Sequence, residues 1–206
     1  MGTKIPFVRD MAFEYGKPQQ VTPLVRRLVA NNPGAFTFYG TGVYIVGHGE
    51  IAVIDPGPDT EDHLQDLLRA VGDEKVTHIF VTHGHMDHSP AARPLAAATG
   101  AKICACAQPV IPTESEVRME AGDDLSFRPD VGVRDGDLFH GKGWTIEAVA
   151  TPGHTSHHFA YALREENILF PGDHIMGWST TVISPPDGDM GDYVASLEKV
   201  RDRHFN

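Results

Sequence analysis

The sequence has little cysteine, little positive charge and no long apolar stretch. Its 206 residues include 2 cysteines, and 17 Lys and Arg stand against 28 Asp and Glu, so the formal net charge is -11. No run approaches the roughly 18 apolar residues of a membrane helix, and the N-terminus lacks the apolar core of a signal peptide. We therefore expect a cytoplasmic protein with no membrane segment. The acidic balance also disfavours a nucleic-acid partner, because such binding relies on Lys and Arg that neutralise phosphates.

Three enzyme signatures are absent as well. The sequence contains no G-x-S-x-G nucleophile motif, no P-loop and no dinucleotide-binding fingerprint, so a serine nucleophile has no support. Cys104 and Cys106 alternate within an apolar run, which is typical of a strand with both thiols on one face, and buried thiols are favoured. With 41% hydrophobic residues, the chain is long enough to form one domain over residues 1–206.

One dense group of metal-ligand side chains stands out. His83, His85, Asp87 and His88 lie within six residues, directly after the apolar run 79–81. Alternate side chains of an extended segment share a face, so His83 and His85 can bind one ion, while Asp87 and His88 are placed to hold a second ion. The sequence therefore predicts a metal site in this loop.

Two later segments strengthen this prediction. His154, in 151–155, and Asp173, in 171–174, each follow a β-like run. The alternative interpretation, a solvated loop of histidines, is disfavoured because three loops with metal-ligand residues follow three predicted strands.

In order and residue type, these segments, preceded by Ile-Asp-Pro-Gly at 54–57, resemble the metallo-β-lactamase superfamily. The flanking segments 36–38, 44–47 and 185–190 are similar to its lactamase-β-like bacterial hydrolases, relatives of glyoxalase II and of an endoribonuclease. The resemblance covers almost the whole chain. It implies an α/β fold, the four-layer αββα sandwich, with which the interleaved strands and helices of the sequence are compatible.

The resemblance also implies two divalent metal ions, zinc in the first instance, with iron or manganese as alternatives. His83, His85 and His154 would hold one ion and leave room for a water, and Asp173 would bridge to a second ion held by Asp87 and His88. Two ions about 3.5–4 Å apart acidify the shared water, so we expect a metal-bound hydroxide that hydrolyses an ester, thioester, lactone or amide in a small-molecule substrate.

The resemblance further assigns roles around these ligands. Asp87 would be catalytic, because it can orient the hydroxide or carry a proton, and Asp55 would steady a ligand imidazole from behind. His158 is expected to support the ligands without binding metal, and His157 to be structural. His174 is expected to point away from the metal, since adjacent residues of a strand face opposite sides.

The end of the sequence departs from the superfamily pattern. There, a further histidine on a Gly-His segment after the last helix completes the second metal site, whereas this chain ends at Asn206 and its late His204 lacks the glycine. We therefore expect a fold that is incomplete at the C-terminus and a chain that is part of a longer protein. The alternative functions are a metal-dependent phosphodiesterase or endoribonuclease, and a mononuclear metal-binding domain with little activity.

Local patterns predict the secondary structure. Helices are expected from Thr22, after Asp59-Thr60, after Ser89-Pro90 and from near Asp192, and His63 is expected on the surface because it lies off the apolar stripe of its helix. Residues 109–137 are expected to form either a loop over the site or a surface excursion. The predicted strands are 36–38, 43–46, 51–54, 146–150, 159–163 and 168–170.

Overall fold

The computed structural model describes residues 6–107 and 122–205, in which two β-sheets pack face to face. Among these residues the first sheet contains, in spatial and chain order, β1 (Gln19–Gln20), β2 (Val25–Val29), β3 (Gly42–His48), β4 (Glu50–Ile54), β5 (Lys75–Phe80), β6 (Lys102–Ala105) and β7 (Val131–Gly132). The second sheet contains β8 (Leu138–Gly141), β9 (Trp144–Ala150), β10 (Phe159–Leu163) and β11 (Ile168–Phe170). The α-helices of the same ranges are α1 (Glu61–Val71), α2 (Ala92–Thr99) and α3 (Met190–Arg201).

The first sheet changes direction at its centre. Strands β1 to β4 are antiparallel, whereas β4 to β7 run parallel to one another. Helix α1 connects β4 to β5 and α2 connects β5 to β6, as parallel pairing requires. The second sheet is antiparallel throughout. The carboxyl ends of the parallel strands therefore lie at the same end of the first sheet, and the loop after β5 begins there.

The apolar core forms three clusters that separate four layers. The first lies between α1, α2 and the first sheet, and includes Leu67 and Leu95. The second lies between the two sheets, and includes Phe80 and Tyr161. A smaller cluster, with Val149, covers the other face of the second sheet, where Ser196 and Lys199 of α3 bond to the backbone at the end of β9 and just beyond it. The predicted α/β sandwich with the layers αββα is thus confirmed for the described residues.

The helix predicted from Thr22 is wrong, because Val25–Val29 forms strand β2. Strand β2 pairs with a strand on each side, and a layer of the protein packs on each of its two faces. Val25 contacts the core between the sheets, and Leu28 contacts the core under the helices. Apolar residues on both faces of a buried strand can match the three-and-four spacing of a helix, and pairing with β3 decides the outcome.

Two further local predictions are wrong. Residues 36–38 form a tight turn closed by hydrogen bonds between Gly34 and Phe38, and Phe38 has φ of 57°. His63 is buried, not on the surface, because its Nε2 atom lies 2.7 Å from the carbonyl oxygen of Pro56 and its ring packs under Gly57. The periodicity of α1 could not reveal that the loop before the helix folds back over its first turn.

Ser89 does not cap α2, which begins at Ala92. Its hydroxyl donates to the carbonyl oxygen of His85 and to a carboxylate oxygen of Asp124, so it fixes the loop instead. The helices predicted after Asp59-Thr60 and near Asp192 are confirmed, with side-chain caps from Thr60 and Asp189. The strands predicted after residue 40 are confirmed as well.

Both cysteines contact the core between the sheets, and the predicted burial is confirmed for Cys104. Cys104 is buried in β6, and burial raises the pKa of its thiol to about 12. Cys106, just past the strand, is half-buried against the same cluster. Of the segment 109–137, residues 109–121 lie outside the described residues, and the rest includes β7. In the part of the chain that the structure describes, no helix has the length and apolar character needed to cross a membrane.

Candidate metal centre

The ligand-type side chains meet where strands of both sheets end. Strand β5 leads into the loop that carries His83, His85, Asp87 and His88. In the second sheet, β9 ends four residues before His154, and β11 ends three residues before Asp173. The six residues come from distant parts of the chain but converge at one end of the sandwich. Five of them form two groups of possible ligand atoms that share His83, and Asp87 lies beside the second group, next to His88.

The first group is made of imidazoles alone. Nδ1 of His85 lies 2.9 Å from Nε2 of His83 and 3.2 Å from Nε2 of His154, and all three side chains are buried. A tetrahedral zinc ion with Zn–N bonds of about 2.0–2.1 Å holds its nitrogen ligands about 3.3 Å apart. The observed spacing fits such an ion.

The other ring nitrogens of this group explain why the inner ones are free to bind. Nδ1 of His154 donates to the carbonyl oxygen of Val182 at 2.6 Å. The Thr82 hydroxyl donates to Asp55, so it accepts from Nδ1 of His83 at 3.0 Å. Nε2 of His85 lies 3.5 Å from Asp123. With its outer nitrogen next to an acceptor, each ring can present an unprotonated inner nitrogen, which is the form that binds a metal ion.

The second group combines one imidazole with carboxylates. Nε2 of His88 lies 3.4 Å from Oδ2 of Asp87 and 3.4 Å from Oδ1 of Asp173. Asp173 also approaches the first group, since its Oδ2 lies 3.7 Å from Nε2 of His154. On its far side, Nδ1 of His88 lies 3.0 Å from Oδ2 of Asp55. Asp173 is therefore the carboxylate that faces both groups.

The electrostatics of the two groups are opposite. Burial and the neighbouring rings of His88 and His85 hold the pKa of His83 well below its usual value. Burial also lowers the pKa of His88, but Asp87, Asp173 and Asp55 together raise it well above its usual value. The first group therefore favours neutral imidazole, whereas the second attracts a positive charge.

An unpartnered oxygen shows that a cation fits this second group. Among the described residues, Oδ1 of Asp87 is buried and has no hydrogen-bond partner. A buried carboxylate oxygen in that state is costly unless a proton or a cation neutralises it. With Asp173 and His88 beside it, the donor set is the carboxylate and imidazole mixture typical of zinc, iron and manganese. The cluster thus fits divalent metal ions.

Asp55 supports both groups from behind. One carboxylate oxygen accepts from the backbone nitrogen of Thr82 at 2.8 Å. The other lies within hydrogen-bond distance of the Thr82 hydroxyl and of Nδ1 of His88. Asp55 has φ of 49°, an uncommon conformation for a non-glycine residue, directly after β4. This conformation and three hydrogen bonds aim its carboxylate at the loop after β5.

Four other histidines that the sequence analysis considered as ligands or supports lie outside the two groups. His157 accepts from the backbone nitrogen of Gly84, so it braces the metal loop. His158 packs with its ring 5.1 Å from that of His83 and bonds to the Thr151 hydroxyl. The other two are further away: His174 packs against the ring of Tyr193, and His204 is exposed, with its carbonyl oxygen bound by Asn167 at the opposite end of β11 from Asp173.

Sequence reasoning missed several residues that shape the site. Thr82, Asp123 and the carbonyl of Val182 orient the three imidazoles, and no local pattern marks them. Trp178, stacked on Phe38 with ring centroids 5.1 Å apart, also lies close to the cluster. It lines both a cavity of about 230 Å³ over the first group and a cavity of about 340 Å³ beside the second. The aromatic residues at 36–38 contributed to the family resemblance and to a predicted strand, but the sequence did not place them at the site.

Comparison with known proteins settles the family. Residues 37–204 match the metallo-beta-lactamase superfamily. The chain belongs to this superfamily. It is 32% identical over 225 residues to the lactamase-like protein adaB of Aspergillus niger, covering 98% of this chain and 62% of that protein. It is 30% identical over 192 residues to an atrochrysone carboxyl ACP thioesterase of Claviceps purpurea, covering 90% of this chain and 54% of that protein. The chain thus spans about half to three fifths of these relatives.

Solved structures of the superfamily share the fold. ETHE1 from Myxococcus xanthus superposes with a TM-score of 0.64 and 23% identity over 86% of this chain and 69% of that one. A beta-lactamase domain protein from Burkholderia ambifaria superposes with a TM-score of 0.70 and 19% identity over 92% of this chain and 68% of that one. At these identities the likeness concerns the fold.

Proposed function

We propose that this chain provides the metal centre of a hydrolase that cleaves thioesters with two zinc ions. His83, His85 and His154 would hold one ion, Asp87 and His88 the other, and Asp173 would lie between them. When bound, such ions polarise a carbonyl oxygen and acidify a water, so that hydroxide is available near neutral pH. A small-molecule acyl thioester is the proposed substrate class.

The observation that carries this proposal is the contact of a neutral ligand group with an anionic one. His83 belongs to both groups of possible ligand atoms, and the atoms of each group lie within 4.8 Å of one another. Asp173 faces His88 on one side and His154 on the other. Such an arrangement provides for two cations side by side, each neutralising part of the buried negative charge.

The residues of the chain have distinct tasks in this reaction. Asp87 presents a buried, unpartnered carboxylate oxygen that can orient a water and hold its proton. Asp55 fixes the direction of His88, and Thr82 that of His83. The cavities on either side of Asp87 and Asp173 exclude bulk water from a bound acyl group.

The choice of thioesters among carbonyl substrates is supported by the relatives. Several curated proteins that are 29–32% identical to this chain are named atrochrysone carboxyl ACP thioesterases. A phosphodiester substrate has less support, because the chain carries a net charge of -11 and a polyanion would be repelled.

Metal content and a substrate panel test this proposal. The zinc-loaded chain is analysed for metal by mass spectrometry and assayed with a benzoyl N-acetylcysteamine thioester, a chromogenic β-lactam and bis(p-nitrophenyl) phosphate. We expect two equivalents of zinc and a clear preference for the thioester. Asp87→Asn should abolish turnover, whereas Asp73→Asn, at an exposed carboxylate, should not change it. One equivalent of metal and no thioester hydrolysis would refute the proposal.

A further inference from the structure

A cavity of about 340 Å³ extends from the metal cluster to the edge of the first sheet. Asp87, His88 and Asp173 line it near the cluster, and Arg27 and Val29 of β2 line it as well. Its walls are otherwise largely apolar. The cavity therefore connects the metal-ligand residues to the positively charged side chain of Arg27 on β2.

Arg27 is unusual in its position. Side chains alternate along β2, so Arg27 shares a face with Val25, which packs in the core between the sheets. Among the described residues that line the cavity, Arg27 is the only Lys or Arg. One of its terminal nitrogens donates to Gln19 at 2.9 Å, while its Nε atom is buried and has no hydrogen-bond partner among the residues that the structure describes. A buried guanidinium donor in this state favours an anionic oxygen as its partner.

The sheet sets the distance between Arg27 and the metal cluster. Arg27 pairs with Tyr44, and Tyr44 pairs with Ile54, so two inter-strand steps of about 4.8 Å separate the backbones of Arg27 and Ile54. Ile54 directly precedes Asp55, which contacts His88. The spacing of the strands thus places the backbone of Arg27 roughly 10 Å from that of Ile54, so a ligand that touched both Arg27 and the cluster would be of about the size of two fused aromatic rings with a substituent at each end.

Aromatic residues form much of the apolar wall of the cavity. The rings of Phe38 and Trp178 are stacked at 13°, whereas those of Tyr44 and Phe170, with centroids 5.1 Å apart, are tilted by 54°. Phe38 adopts its position with φ of 57°, and such strained residues are typical of ligand clamps. Stacked aromatic rings bind planar apolar groups.

We propose that Arg27 determines substrate specificity by binding an anionic substituent at the far end of a flat aromatic acyl group. The near end of that acyl group carries the thioester carbonyl, and this part rests on the function proposed above. The favoured substrate class is thus an aromatic acyl thioester with a carboxylate or phenolate roughly 8–10 Å from its carbonyl carbon.

Binding to the metal-free chain tests the recognition step apart from hydrolysis. The probes are 6-acetyl-2-naphthoate and its neutral counterpart 2-acetylnaphthalene, measured by calorimetry and by fluorescence of the chain. We expect the anion to bind at least about tenfold more tightly than the neutral ketone, as a charge-assisted hydrogen bond at a desolvated site provides. Arg27→Met should remove this preference, and Arg27→Lys should retain part of it.

Arg26→Met is the matched control, because it removes the same charge from the other face of β2. Arg26 pairs with Glu74 and does not line the cavity, so the preference for the anion should remain. Circular dichroism verifies that each variant is folded. Equal binding of both probes to the unaltered chain, or an equal loss in the Arg26 and Arg27 variants, would overturn the role of Arg27.

Hydrolysis distinguishes this inference from the proposed function. The zinc-loaded chain is assayed with two substrates, the N-acetylcysteamine thioesters of 2-naphthoate and of 6-carboxy-2-naphthoate, and their rates are compared. We expect Arg27→Met to lower kcat/KM at least about tenfold for the carboxylated substrate and less than twofold for the neutral one. If both thioesters are cleaved at equal rates, the specificity inference fails and the function stands. If neither is cleaved while Arg27-dependent binding persists, the function fails and the recognition site stands.

Discussion

The two ligand groups of the cluster differ in how they are prepared for a cation. The imidazole group of His83, His85 and His154 is surrounded largely by neutral acceptors, and its inner nitrogens lie 2.9–3.2 Å apart. The second group places Nε2 of His88 at 3.4 Å from two carboxylates. Two of the three rings in the first group are thus oriented by hydrogen bonds to neutral oxygens, whereas the second group is organised around negative charge.

This difference explains why one residue can support both groups. Asp55 reaches the imidazole group through the neutral hydroxyl of Thr82, and it reaches the carboxylate group directly through His88. The Asp55 carboxylate therefore acts on the imidazole group through the Thr82 hydroxyl, whereas it contacts His88 of the second group directly. Substitutions at Asp173, Asp55, Thr82 and His157 should separate these contributions.

Loss of a carboxylate from the second group should have the largest effect. Asp173→Asn removes a charge that faces both groups, so bound metal should fall below two equivalents. Thioester hydrolysis should fall by more than about 100-fold, since even residues behind the ligands contribute about 10- to 100-fold. Metal analysis and steady-state kinetics measure both effects. Unchanged metal content in Asp173→Asn would contradict the division into two groups.

Asp55→Asn should weaken both groups at once. Its amide cannot supply the charge that holds His88, and it offers one acceptor oxygen where the carboxylate has two. We expect metal affinity to fall about 10- to 100-fold at both positions in competition titrations with a chromophoric chelator. The exposed Asp59→Asn serves as a control. A loss of metal affinity at the second group alone would show that the contact of Asp55 with Thr82 does not affect metal binding by the imidazole group.

Thr82→Val should affect the imidazole group selectively. The substitution keeps the shape of the side chain but removes the hydroxyl that accepts from Nδ1 of His83. The expected loss is about tenfold in affinity for the ion at the imidazole group, at the lower end of the range for such partners. Thr82→Ser retains the hydroxyl and should bind as the original chain does. Equal losses in the two variants would point to packing, not hydrogen bonding.

His157→Ala should lower stability without altering metal stoichiometry. The backbone nitrogen of Gly84 would lose its acceptor in a buried loop, and an unsatisfied buried donor costs about 1–3 kcal/mol. Urea unfolding of the metal-free chain measures this change. Loss of one metal equivalent in this variant would show that His157 belongs to the metal centre.

Much of the fold was predictable because it depends on local patterns. The stripe of α1 and its Thr60 cap identify a helix from neighbouring residues alone, and the apolar run before His83 identifies a strand. Strand β2 was not predictable in the same way. Its apolar residues serve two different cores, and only the layers on both sides of the sheet reveal this.

The sequence by itself determined which residues could bind metal, because side-chain chemistry and the spacing of His83, His85, Asp87 and His88 are local properties. The family followed from the order of three such segments. Only the tertiary structure decided which nitrogen of each ring faces inward and that Arg27 lines the cavity beside the cluster. It also placed Asp55 behind the rings of His83 and His88. Those relations depend on strand register and on loops from distant parts of the chain, which meet only when both sheets have packed.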